Sequence, residues 1–326
     1  MPVILCRMCR SKQFCYVTYT NLEDFVANST PYDAAFYECE SCGNNFIFPA
    51  LEGADLSEAY AGYYTQSSKM INRAFYMGDQ RFSKFKFYYD GYFEKRKLYK
   101  FLARVVGRLP LLGFMLRRAV RFVPMPETPG KKLVDIGCGN GQFLLRARDI
   151  GYDVSGIDLD EKTVEVAKSL GLEVKLGEVD VLYSSGPYDV VTLSHVIEHV
   201  HDPRAVLEKI YDLLPVGGYF YIATPNFNSA GRKTFGKFWR GLEFPRHLHI
   251  FKTDELKVLL SEVGYSKVEI VYDLPQSLGI LRSSYSIYVQ NNEAKLLDLL
   301  RIFVRLLYHN PFAINSLEVI AIRCWK

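Results

Sequence analysis

The sequence predicts an α/β chain built on a doubly wound parallel sheet, with a small cysteine-bearing attachment at its N-terminus. Three observations predict it. Strand and helix patterns alternate from residue 131 to residue 274, the order that produces a parallel sheet with helices on its faces. A glycine-rich turn, Gly137-Cys-Gly-Asn-Gly141, follows an apolar run and opens a helical pattern. Four cysteines before residue 50 fall into two C-x-x-C pairs.

The attachment comes first. Cys6-Arg-Met-Cys9 and Cys39-Glu-Ser-Cys42 are knuckles that can each present two thiolates to one edge of a metal ion. Together Cys6, Cys9, Cys39 and Cys42 would complete a tetrahedral zinc site with no open position, so the role expected of the metal is structural. Gly43 permits a tight turn after the second knuckle, and Cys15 lies outside the spacing. Residues 14–19 and 35–38 alternate like short ribbon strands. Residues 1–50 are therefore expected to be a zinc ribbon.

Residues 51–130 read as an aromatic and basic helical connector, with Lys, Arg and aromatic residues at helical spacings from Phe82 to Arg108. The apolar run 109–123 carries Arg117, Arg118 and Arg121 and has two readings. One is a helix lying on an anionic membrane surface. The other, favoured here, is a helix packed on the main domain with its arginines in water. Pro124, Pro126 and Pro129 mark the boundary to that domain, residues 131–326.

Within it, Lys132 to Ile136 is the first strand and Gln142 to Ile150 the first helix. Val154 to Asp158 is the second strand. Asp160 is placed to cap the helix 161–170, which Gly171 closes. Glu173–Leu176, Tyr188–Leu193 and Tyr219–Ala223 are the third to fifth strands, with a helix over 203–214. Thr253 is placed to cap a helix ending near Gly264, and Val268 to Tyr272 is the sixth strand. Residues 275–315 form a helical insertion whose second segment, 294–308, has a strongly apolar face, and 316–323 alternate as a last strand.

The glycine turn reads as a ligand cradle, because backbone without Cβ can approach a ligand and the N–H groups of the helix start face the same point. The dinucleotide fingerprint would need its third glycine at position 142, where Gln142 stands, and no Lys-Ser/Thr pair follows, which excludes a P-loop. Asp158, ending the second strand, is placed to bind two ribose hydroxyls. Five of the six histidines fall into two clusters after strands, His195, His199 and His201, then His247 and His249. His195 is the candidate to face a substrate. His247, beside Glu243, is the candidate to remove a proton. Arg246 is placed to hold a phosphate or carboxylate. Trp239 to Phe251 reads as a long polar-aromatic loop without regular structure, a length that points to function.

The form D-x-G-x-G-x-G followed by G-x-D resembles the class I S-adenosylmethionine (SAM) methyltransferases. That resemblance implies a Rossmann-like seven-stranded sheet whose last strand runs antiparallel beside the sixth. It implies SAM across Asp135, Gly137, Cys138, Gly139 and Gly141, the ribose on Asp158 beside Leu159, adenine near Glu178 and Val179, and the methyl beside Ser194. The C-x-x-C pairs, His195-Val-Ile-Glu-His199 and Gly241-Leu-Glu-Phe-Pro-Arg-His-Leu-His-Ile-Phe251 add to it. Together they look like bacterial zinc-ribbon methyltransferases of surface-polysaccharide and sugar biosynthesis. The layout is similar to that of deoxysugar C-methyltransferases, in which a histidine at the position of His247 belongs to the active loop, although a counterpart of their separate C-terminal domain is not expected within these 326 residues. The expected activity is methyl transfer to a small-molecule, sugar, glycan or lipid-linked acceptor, with His195, His247 and Glu243 as the catalytic set.

Two rival readings are an RNA methyltransferase gripping nucleic acid with its ribbon, and a non-catalytic scaffold. A net charge of +4 is too small to argue for a polyanion partner, so nucleic acid is not expected. The intact glycine motif and Asp158 count against a scaffold. No leader pattern and no uncharged run of roughly 20 residues is present, which makes the cytoplasm the expected location. There cysteines stay reduced, and C-x-x-C pairs favour metal. Any membrane contact is expected to be peripheral, through 109–123 or 294–308.

Overall fold

The structure, a computed structural model, describes residues 3–6, 8–20, 22–25, 32–51, 59, 121–292 and 296–326. The connector helices expected between 82 and 120, and position 294 in the insertion, lie outside the described residues.

The strands of the main sheet are β5 (Lys132–Ile136), β6 (Asp153–Asp158), β7 (Glu173–Leu176), β8 (Val190–Ser194), β9 (Tyr219–Pro225), β11 (Ser266–Val271) and β12 (Val319–Trp325). They hydrogen-bond in the order β11-β12-β9-β8-β5-β6-β7. β5, β6 and β7 are parallel, with Asp135 opposite Gly156 and Ile157 opposite Lys175. β12 runs antiparallel to β11, with Ile322 opposite Ile270. This is the Rossmann-like, seven-stranded arrangement that the motifs implied. β9 is buried along its whole length, and β5 from Leu133 to Ile136. Near-continuous apolar runs of this kind belong to strands covered on both faces.

The chain divides into two compact units, Met1–Tyr63 with Leu193–Tyr211 and Ile222–Trp325, and Tyr64–Thr192 with Asp212–Tyr221 and Lys326. In the second unit, α1 (Gln142–Asp149) follows the glycine turn and buries Phe143, Leu144, Leu145 and Ala147. α2 (Glu161–Ser169) starts where Asp160 accepts the Lys162 N–H at 2.9 Å, satisfying one of the N–H groups that a helix start leaves open.

In the first unit, β1 (Val3–Leu5), β2 (Lys12–Tyr19), β3 (Ala35–Cys39), β4 (Asn45–Phe48) and β10 (His249–Ile250) form an antiparallel sheet in that order. The last two strands are far apart in sequence, yet His249 pairs with Phe46, and the Ile47 N–H donates to the Leu248 carbonyl at 3.0 Å. Phe36 and Ile47 from the ribbon share one core with Phe227, Trp239, Leu242, Phe244, Leu248 and Ile250. Remaining helices of this unit are α3 (Pro203–Leu213, as far as Tyr211), α4 (Ala230–Phe235), α5 (Thr253–Val263), α6 (Leu274–Asn292) and α7 (Leu296–Tyr308).

Two local expectations are corrected. The stretch from Trp239 to Phe251 is not structureless. It follows α4 and a 3-10 turn at Gly236–Phe238, contains a second 3-10 turn at Arg240–Leu242, and ends in β10. Three-residue 3-10 turns display neither the 3.6 nor the 2 residue period, so no pattern announces them. The cap of α5 is Lys252 rather than Thr253. The Lys252 N–H donates to the Glu255 carboxylate at 3.3 Å, while Thr253 is buried inside the first turn. α7 buries Ile302 and exposes Phe303, Val304 and Leu307. Among the described residues, no helix is long and apolar enough to cross a membrane.

Candidate functional site

In the second unit, the end of β5 carries the glycine turn. Gly137, Gly139 and Gly141 have φ of +70°, +54° and +79°, a region that L side chains avoid. A Cβ at Gly141 would lie 2.3 Å from Leu172 Cδ1, whereas one at Gly139 would meet nothing within 4 Å. Packing therefore demands glycine at 141, and the backbone at 139 stays open to a ligand. The N–H groups of Gly137 and Cys138 donate to the Ile157 carbonyl at 2.9 and 3.0 Å, fastening the turn to β6. Asp158, at the end of β6, accepts the Gly139 N–H on Oδ2 at 2.8 Å and the Asp160 N–H on Oδ1 at 2.9 Å. One bond on each oxygen fixes the carboxylate and leaves each oxygen a further lone pair, which is what two ribose hydroxyls need.

Asp135 is fully buried. Its Oδ1 accepts from Thr192 Oγ1 at 2.6 Å and pairs with the Arg121 guanidinium, while Oδ2 is buried without a hydrogen bond. Burial pushes this carboxyl's pKa up, against the opposing influence of Arg121 and Thr192. The Arg121 guanidinium also lies over the Phe143 ring, 4.1 Å from its centroid. Arg121 is thus engaged beside the cradle instead of in water, and it joins the site as a residue that sequence reasoning did not select. Its one signal was a charge inside an apolar run. Cys138 is buried, and burial raises its thiol pKa. Leu159 is 72% exposed, Glu178 is exposed, and the buried Val179 opens a 3-10 turn, Val179–Leu182. The bonded carboxylate, the open backbone at Gly139 and the exposed apolar Leu159 fit a nucleoside-bearing cofactor.

The first unit holds the histidines and Ser194. His195 follows β8 with φ +57°, and its N–H donates to the Ala223 carbonyl at 2.8 Å. Its ring lies between two partners, Nδ1 being 3.3 Å from Glu198 Oε1 and Nε2 facing the Gln276 amide. The side chain is 33% exposed. Glu198 and His199 belong to a 3-10 turn, Ile197–His199, and Glu198 is fully buried with Oε2 accepting from Thr224 Oγ1 at 3.0 Å. This turn is zipped to the later stretch. The Leu248 N–H donates to the Glu198 carbonyl at 2.7 Å, and His199 Nδ1 lies 3.1 Å from the Arg246 carbonyl.

Arg246 is fully buried and grips Asp24 with two bonds of 2.7 and 2.6 Å, with the Ala59 carbonyl at 3.0 Å. The bidentate geometry expected for a substrate anion is thus met by the chain's own carboxylate. Glu243 pairs with Arg240, and His247 sends Nδ1 to the Gly241 carbonyl at 2.8 Å. Both are buried, with His247 3% and Glu243 7% exposed. Burial opposes ionisation of Glu243, yet His247, Arg240 and His199 around it hold its pKa at about 2. Burial pushes His247 down to about 4, so its imidazole is neutral near pH 7. His249 faces Asn44 Nδ2 at 3.0 Å and ties β10 to the ribbon.

The cysteine knuckles of the same unit share one local form. The Arg10 N–H donates to the Cys6 carbonyl and the Gly43 N–H to the Cys39 carbonyl, both at 2.8 Å, with φ of +59° and +72° at the turning residues. The four sulfurs lie within 4.8 Å of one another, with Cys6 to Cys42 at 3.7 Å and Cys9 to Cys39 at 3.8 Å. A tetrahedron of sulfurs about zinc has edges of ~3.8 Å, so the donors are already at metal-binding separation. Cys15 is buried outside the set.

A methyltransferase-domain family profile matches residues 110–270. The ubiquinone biosynthesis O-methyltransferase of Thiobacillus denitrificans is 33% identical over 158 residues, 43% of this chain and 67% of that protein. The Bordetella avium protein of the same name is 36% identical over 107 residues, 30% of this chain and 44% of that one. The chain thus spans two thirds of one such relative and under half of the other. Among solved structures, a SAM-dependent methyltransferase from Archaeoglobus fulgidus is 20% identical, covering 70% of this chain and 99% of its own, with a TM-score of 0.45.

Proposed function

We propose methyl transfer to a hydroxyl oxygen, from the premise that this chain belongs to the class I SAM-dependent methyltransferases. The acceptor in this reading is a small molecule, a sugar or glycan, or a lipid-linked compound, and the O-methyltransferase names of the relatives support oxygen as its nucleophile. The observation that carries the cofactor half is the doubly bonded Asp158 carboxylate beside the open backbone of Gly139. When bound, SAM supplies a methyl group already activated by a sulfonium. Asp158 would hold the ribose and Leu159 and Val179 would border the adenine, while Asp135 with Arg121 keeps the turn in shape.

The acceptor proton is assigned to His195. Its Nδ1 faces the Glu198 carboxylate, which orients the ring and favours the proton on that nitrogen; Nε2, which faces the Gln276 amide, is then the base once an acceptor hydroxyl takes the amide's place. Glu198 is suited to that role. Burial opposes its ionisation, but His195 above all, with His199 and His247, holds its pKa at about 2. His247 and Glu243 stand behind this pair as buried positioning residues. The four-cysteine cluster is assigned to structural zinc, since four thiolates leave the ion no open position for chemistry.

The test combines calorimetry with radiolabelled SAM and fractionated cell extract. Asp158→Ala is expected to weaken SAM binding by at least about tenfold, the loss of charge-assisted hydrogen bonds worth roughly 1.5–3 kcal/mol. His195→Ala is expected to keep SAM affinity and lose turnover by roughly 100-fold or more. Label in the sugar or lipid fraction supports the acceptor class. Label in RNA, or unchanged turnover in His195→Ala, defeats the corresponding assignment.

A further inference from the structure

We propose that Glu198, His199 and His247 form a second metal centre, a site of two histidines and one carboxylate for a divalent transition-metal ion. One donor atom from each residue lies within 4.8 Å of the others, and all three belong to the first unit. The histidine rings meet edge to face with centroids 4.7 Å apart.

The hydrogen bonds around the rings select the nitrogen that a metal needs. His199 Nδ1 is 3.1 Å from the Arg246 carbonyl and His247 Nδ1 is 2.8 Å from the Gly241 carbonyl. A carbonyl only accepts, so each Nδ1 carries a proton, and in the neutral ring each Nε2 carries the lone pair. An imidazole whose second nitrogen is fixed by a backbone carbonyl is the usual arrangement of a metal-ligating histidine.

The charges in the cluster point the same way. Glu198 is fully buried; Oε2 accepts from Thr224, and Oε1 has His195 Nδ1 at 3.3 Å, too poorly aligned for a full hydrogen bond. A buried carboxylate held this loosely is costly, and a cation beside it lowers that cost. His247 Nε2 also faces Glu243 Oε2 at 3.4 Å. The Arg240 guanidinium already holds that oxygen, so an ion on His247 Nε2 would sit at the edge of an existing ion pair. The donors are held by backbone, since the Leu248 N–H to Glu198 carbonyl bond of 2.7 Å locks the two loops in register.

Imidazole and carboxylate donors suit zinc, iron, manganese or nickel, and three protein ligands leave coordination positions open, unlike the closed cysteine site. An ion here would accept an oxygen ligand such as a hydroxyl or water and make its proton more acidic. That role rests on the methyl-transfer reading. The site itself does not.

Metal stoichiometry of the full chain tests it. Purified protein, stripped and then dialysed against Zn2+, and in parallel Co2+, is expected to hold two equivalents. The Co2+ form should show thiolate charge-transfer bands from the cysteine site and weak d–d bands from a nitrogen and oxygen site. His199→Ala and His247→Ala should each weaken the second equivalent by at least about tenfold while retaining the first, whose retention with an unchanged circular dichroism spectrum shows that the variant folds. One equivalent in the wild-type protein overturns the proposal without any variant. So does a second equivalent that neither substitution weakens, and a protonated His247 bridging Gly241 and Glu243 is then the better account. SAM affinity measured on the same samples separates the two ideas, because its absence would defeat methyl transfer and leave the metal count standing.

Discussion

At the scale of single residues, the glycine turn shows how one chemical type serves two ends. Gly141 is required by its neighbours, whereas Gly139 is required by its φ of +54° alone and leaves the space beside it open. Gly141→Ala combines φ of +79° with a Cβ 2.3 Å from Leu172. It should lower stability by about 1–3 kcal/mol, read as a shift in the denaturation midpoint. A midpoint equal to wild type would mean that the turn is not packed as described. Glu318 offers a pH test. It is buried against the Gly231 N–H at 2.7 Å and Trp239 Nε1 at 2.5 Å, and burial raises its pKa from 4.5 to about 7. A folded-state pKa above the unfolded one gives stability that is full below pH 4.5 and lost as pH rises through 7. Unfolding free energy should therefore fall from pH 5 to pH 8, and Glu318→Gln should flatten that slope. Glu318 was not legible in the sequence, because nothing local marks an acid just before an apolar strand as buried. Arg121 was misplaced for the same reason. The partners of both residues are set by tertiary packing, whereas the glycine turn and Asp158 are set by local geometry and were legible.

At the scale of elements, strands β5 to β7 and helices α1 and α2 declared themselves through apolar runs, a capping aspartate and terminal glycines. What escaped was the segment after β9, where short helical turns hide any period. Its order comes from the ribbon, whose β4 lends an edge to β10. Loss of the zinc proposed on the cysteines should therefore be felt beyond them. Replacing Cys6 and Cys9 by serine, which leaves the histidine cluster its donors, is expected to lower the melting temperature and to speed amide exchange at Ile47 and His249, which sit in or beside the β4–β10 pairing. Faster exchange confined to residues 6–15 and 39–43 would show that the ribbon metal does not support that pairing.

At the scale of the molecule, the alternation of strand and helix was enough to anticipate a parallel sheet. That β12 runs antiparallel beside β11 came from the family resemblance and not from periodicity, and its pairing with β9 came from the structure. The compact units, by contrast, do not follow the order of the chain, since the first gathers residues from both ends. The Arg246–Asp24 ion pair joins positions 222 apart. On a ribosome adding roughly 5–20 residues per second, Asp24 is incorporated about 10–45 seconds before its arginine is. Throughout that interval the nascent ribbon has an unpaired β4 border, the kind of surface that recruits other strands. Synthesis stalled before residue 246 should therefore leave a chain that chaperones hold or proteases trim. Resumed elongation should release it, because the covering strand follows the arginine by only three residues, at His249.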